Sequence, residues 1–61
     1  MANEYDYRGY EITERRLDNG WYELSTMAYS MGEEYRVHKR YDHEPTGVDY
    51  DNFIEYVEAT K

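Results

Sequence analysis

An Asn-Gly pair at positions 19 and 20 constrains this chain more than any other feature of its sequence. Both residues tolerate positive φ, the backbone state a tight reversal needs, so the flanking segments are expected to run antiparallel as a hairpin. The flanks agree with that expectation. Residues 5–14 are rich in β-formers, with Tyr10, Ile12 and Thr13 following Gly9, and residues 21–29 supply the returning strand. Ser30-Met31-Gly32-Glu33 reads as a second turn, and residues 34–41 as a third strand. Short loops join neighbouring antiparallel strands, so the simplest connection is a meander.

Alternation assigns the faces. Tyr10 and Ile12 share one side of the first strand, and Tyr35, Val37 and Tyr41 share one side of the third. In the second strand Leu24 and Ala28 are expected inward, leaving Trp21 and Met27 on the other face. Gly9 reads as a bulge that lets Tyr5 and Tyr7 change sides, which makes the outer face unusually aromatic. Asp42-His43-Glu44-Pro45-Thr46-Gly47 forms a connector punctuated by Pro and Gly. Beyond it Tyr50, Phe53, Ile54 and Val57 fall at i, i+3, i+4 and i+7, the apolar stripe of a helix over residues 49–59. Thr46 and Asp49 have the spacing of a capping box, and Lys61 suits the negative pole at the other end. The expected fold is α+β: a three-stranded antiparallel β-meander followed by one C-terminal helix packed on a sheet face (β-β-β-α), in one domain spanning residues 1–61.

A core this small rarely supplies more than roughly 3–5 kcal/mol, and with no cysteine in 61 residues no disulfide can add to it. Aromatic burial or association with another chain must make up the difference, and nine tyrosines suit both. No stretch approaches the length of a membrane span. Met-Ala-Asn-Glu-Tyr-Asp-Tyr lacks the features of a signal peptide, so the cytoplasm is the expected compartment.

Charge is divided unevenly. The net charge is -7; residues 1–40 hold eight acids and six bases, whereas residues 41–61 hold six acids and only Lys61. Asp51, Glu55 and Glu58 align at i, i+4 and i+7 beside the apolar stripe, where like-charge neighbours each cost a few tenths of a kcal/mol. A solvated face that keeps the protein soluble accounts for the pattern; so does a stripe that meets a basic partner, with charge steering the encounter and aromatics anchoring it. Against this stand the bases Arg36, Lys39 and Arg40 on strand three. Beside Tyr5, Tyr7, Tyr35 and Tyr41 they would make a stacking platform for single-stranded nucleic acid, unless they pair across strands with Glu11, Glu14 and Glu23. A domain of net charge -7 starts with the wrong sign for phosphate binding.

Other chemistry is poorly served. His38 and His43 match no zinc spacing, and Phe53 and Ile54 stand where a calcium loop opening at Asp49-x-Asp51 needs a ligand and a glycine. No nucleophile motif surrounds Ser25 or Ser30, and the chain has little volume for a core plus a pocket. No enzyme activity and no cofactor are expected.

In layout the chain resembles small acidic proteins encoded by phages and mobile elements, and it is particularly similar to anti-CRISPR proteins that inhibit by mimicking DNA. The resemblance lies in Tyr10-Glu11-Ile12 opening a hairpin, the Asn19-Gly20-Trp21 return, and Tyr35-Arg36-Val37-His38-Lys39-Arg40-Tyr41 leading into an acidic terminal helix. It is one of size, charge and layout, and it implies a DNA-recruiting subunit of a CRISPR effector complex as target, met in the host cytoplasm. Asp42, Glu44, Asp49, Asp51, Glu55 and Glu58 would occupy a basic nucleic-acid channel, with Tyr50 and Tyr56 adding rigid contact area. The alternatives are a nucleic-acid-binding module that uses the tyrosine-rich sheet face with Arg36, Lys39 and Arg40, and a homo-oligomeric structural protein, at its simplest a homodimer.

Overall fold

The computed structural model describes residues 2–60. Its element order is β1 (Ala2–Tyr7), β2 (Tyr10–Arg16), β3 (Tyr22–Ser30), β4 (Glu33–Tyr41) and α1 (Gly47–Ala59). The strands form one antiparallel sheet in the order β1-β2-β3-β4, and the helix lies on one face of it. The α+β class and the terminal helix are as expected; the strand count is not.

The difference arises at Arg8-Gly9. Tyr7 pairs with Tyr10, so only two residues connect β1 to β2, and both have positive φ, 51° at Arg8 and 83° at Gly9. That is a type I′ reversal, which matches the twist of the strands it joins. The glycine is therefore a turn residue rather than a bulge, and the segment expected as one strand folds back on itself. Arg8 stands where such turns usually carry Asn or Asp, which hides the turn in the sequence. Because the register continues through the reversal, Tyr5, Tyr7, Tyr10 and Ile12 all face the helix. The tyrosines expected to make the outer face aromatic are instead under α1.

The other two turns follow their sequence signals. Leu17-Asp18-Asn19-Gly20-Trp21 closes β2 to β3, with the Gly20 amide donating to the Leu17 carbonyl at 3.0 Å and Leu17 to Trp21 at 2.7 Å. Met31-Gly32 repeats the two-residue reversal, at φ 53° and 81°, between the paired residues Ser30 and Glu33. Trp21 ends up in the turn rather than the strand, half-exposed.

Ile12, Leu24, Ala28 and Val37 from the sheet meet Phe53, Ile54 and Val57 from the helix, with Tyr41 at the margin. Leu24 and Ala28 point inward and Met27 outward, as alternation predicts. Full burial of each large side chain contributes on the order of 1.5–3 kcal/mol, so the helix stripe is the main fastening of the fold. Thr46 and Asp49 form the expected capping box, and α1 begins two residues before the predicted start, at Gly47. Lys61 lies outside the described residues.

The sheet is less continuous than its strand order suggests. β2 and β3 pair only over Thr13–Arg16 and Tyr22–Ser25. Beyond Thr13 the first hairpin departs, and the Thr26 hydroxyl bridges the opening by donating to the Glu11 carbonyl at 2.8 Å. A shallow recess of about 390 Å³ lies there, lined by Tyr10, Glu11, Met27 and Tyr29 among others.

Candidate protein-binding face

The helix places Asp51, Glu55 and Glu58 along one flank, and two of them have partners on the first hairpin. Tyr7 donates its hydroxyl to Asp51 at 2.7 Å, and Arg8 approaches the same oxygen at 3.5 Å. Tyr10 donates to Glu58 at 3.5 Å. Glu55 stands between them, exposed and without a partner among the described residues. The hydrogen bond to Asp51 raises the Tyr7 hydroxyl above its ordinary pKa, because ionising it would set two negative charges together. Arg8 and Asp51 are both half-exposed, and such a pair contributes little in water.

The remaining acids separate into two places. Glu44, exposed on the connector, lines a shallow recess together with Tyr5, Asp6, Tyr7, Glu14 and Tyr50. Asp42 and Asp49 bracket His43 at the start of the helix. Nδ1 of that imidazole lies 2.8 Å from Asp42 and Nε2 lies 2.9 Å from Asp49, which also accepts the Thr46 amide at 3.0 Å. The hydrogen bond that His43 donates to Asp42, then the one it donates to Asp49, raises the His43 pKa. The Thr46 amide, followed by His43, lowers that of Asp49, and His43 lowers that of Asp42. These two carboxylates are thus occupied within the molecule.

The two tyrosines expected beside the acids divide as well. Tyr50 is half-buried, donates to Glu14 at 2.9 Å, and packs against Tyr5 and Tyr7 with centroid distances of 6.2 and 5.4 Å. Burial, reinforced by Glu14, holds its hydroxyl far above the ordinary tyrosine pKa. It is a packing residue. Tyr56 is exposed on the opposite flank, where the Lys39 ammonium sits 5.6 Å from its ring. Parity signals Glu14 in the sequence, since it shares a face with Ile12, but no sequence cue pairs it with Tyr50.

The bases required for a stacking platform are split between faces. Lys39 lies on the helix side, 5.8 Å from the Tyr41 ring. Arg36, His38 and Arg40 alternate onto the open face, away from Tyr5, Tyr7, Tyr35 and Tyr41. There the Glu23 carboxylate, only 13% exposed, gathers Arg40 at 3.3 Å, His38 at 3.7 Å and Arg15 at 3.9 Å. No group of three or more His, Asp and Glu side chains among the described residues is arranged to hold a metal ion. No helix among them is long and apolar enough to cross a membrane.

No protein-family model matches the chain, and no curated protein or solved structure matches it either.

Proposed function

We propose that this protein is a non-catalytic inhibitor that binds a basic, nucleic-acid-binding surface of a protein target through the acidic flank of α1. In this reading it acts as a DNA mimic of the anti-CRISPR kind. Asp51, Glu55 and Glu58 carry the contact, Glu44 extends it, and Asp42 and Asp49 support it by holding the connector and the helix start in place. The supporting observation is the state of the flank. Three carboxylates share one side of a rigid helix, Glu55 between the other two has no partner among the described residues, and a half-exposed arginine at 3.5 Å offsets only Asp51. A helical rise of 1.5 Å per residue spreads the three charges over about 10 Å, enough to meet several cationic side chains of a nucleic-acid channel. Charge of one sign on such a surface raises the encounter rate, and the aromatic hairpin beneath holds the flank rigid.

The deciding experiment compares the parent with D51K/E55K/E58K, both checked for folding by circular dichroism. The parent is expected to capture a nucleic-acid-binding protein that excess duplex DNA releases, while the triple variant captures none. Equal capture by the two proteins, or capture that DNA does not displace, overturns the reading.

A further inference from the structure

The sheet ends in two strands whose outer edges have no ladder partner among the described residues, β1 on one side and β4 on the other. Exposed edges of this kind template pairing with another chain, and proteins that avoid it place prolines, bulges or like charges there. Neither β1 nor the nine-residue β4 contains proline or glycine, so charge is what guards these edges, Lys39 with Arg36 and Arg40 on β4 and Glu4 with Asp6 on β1. The charges on the two edges are opposite. On the open face β1 presents Glu4 and Asp6, whereas β4 presents one acid, Glu34, followed by Arg36, His38 and Arg40, of which His38 and Arg40 also approach Glu23; the register places both sets on the same side, through Glu4–Thr13, Thr13–Ser25 and Ser25–His38. On the helix face the same edges present Tyr5 and Tyr7 on β1, and Tyr35 and Val37 on β4.

We infer that β4 of one molecule pairs with β1 of a second copy, extending the sheet from molecule to molecule. Because neighbouring strands alternate in direction, a copy placed in the same orientation sets its β1 antiparallel to β4, with every helix on the same side. Even-numbered residues of the two strands then share a face, so Glu4 and Asp6 meet two of Arg36, His38 and Arg40 across the junction, and tyrosines meet apolar side chains beneath. Opposite charges directly across strands stabilise such a pairing and like charges oppose it. Of the symmetric alternatives, β1 against β1 is disfavoured because it sets acids on acids, whereas β4 against β4 centred on Val37 sets Glu34 opposite Arg40 and is told apart by E4K/D6K, which would leave such a dimer intact. The contact is heterologous, so assembly continues as a filament or closes as a ring instead of stopping at a two-fold dimer. It uses the sheet edges and leaves Glu55 and its neighbours on α1 free, so it stands independently of the proposed function.

Sedimentation velocity on the full chain tests this from about 10 µM to about 1 mM, the range in which weak association is measurable. The parent is expected to exceed the single-chain mass of 7.5 kDa as concentration rises. R36E/R40E and E4K/D6K are each expected to remain single chains. Mixed in equal amounts they are expected to associate again, because each junction between unlike molecules regains opposite charges. If a reversed variant fails to fold by circular dichroism, the neutral substitutions R36Q/R40Q and E4Q/D6N replace it, with association weakened about tenfold. A parent that stays a single chain throughout overturns the inference, and so do variants that associate as the parent does or a mixture that stays dissociated.

Discussion

Tyr41 illustrates how little polar misfit a core of this size can absorb. The side chain is 8% exposed, and its buried hydroxyl has no hydrogen-bond partner among the described residues. An unsatisfied buried polar group costs on the order of 1–3 kcal/mol. Tyr41→Phe keeps the ring and removes that group, so thermal melting should rise, by about 4–8 °C for each kcal/mol recovered in a domain this small. His43 works in the other direction. Both of its nitrogens face carboxylates, and only the imidazolium can donate from both at once. The Tyr41 ring, 5.8 Å away, is the other titratable group against it. The His43 pKa is raised in the fold from an ordinary 6.5, so its contribution is complete below that pH and disappears as pH rises through the folded value. Asp42 and Asp49 are lowered from 3.8, so theirs is complete above that pH and disappears as pH falls through their folded values. Melting temperature should therefore peak between about pH 4 and 6.5, and His43→Gln should flatten the alkaline side of the peak and weaken the acid side, where Asp49 keeps the Thr46 amide.

At the scale of elements, what the sequence revealed depended on which residue type carried each turn. Asn19-Gly20 announced its hairpin, and Met31-Gly32 was legible because the strands on both sides were well marked. Arg8-Gly9 was not, since an arginine in a left-handed conformation has no compositional signal, and the missed reversal moved Tyr5 and Tyr7 to the other face. The helix and its capping box were readable because spacing at i, i+3, i+4 and i+7 has no strand interpretation. Met31 offers a direct test of turn chemistry. It is fully exposed, adopts φ 53° and precedes Gly32. Asn accepts that conformation more readily than Met. Met31→Asn should stabilise the protein by about 0.5–1 kcal/mol in urea unfolding, without any change in packed contacts. An unchanged midpoint would mean that the β3–β4 hairpin is held by its ladder alone.

For the whole molecule, the question is why the charges are distributed as they are. The sequence placed Asp51, Glu55 and Glu58 on one side of the helix but not all that they meet: Tyr7 and Arg8 reach α1 only because β1 folds back, and that reversal was the hidden turn. The distribution carries a cost that one substitution measures. Glu55 lies four residues after Asp51 and three before Glu58, so it repels both neighbours. Glu55→Lys replaces two repulsions with two attractions, one of them in the favoured order with the acid N-terminal to the base. Each pair is worth about 0.2–0.5 kcal/mol in either sense, so reversal should stabilise the protein by about 1 kcal/mol. A chain with so small a core gains from any such increment. Under the proposed function, chemical denaturation and partner binding, measured on the same variant, should move in opposite directions: a more stable protein that binds the proposed basic partner more weakly. If stability rises while binding is unaffected, Glu55 is not part of the contact, and the acidic flank serves solubility alone.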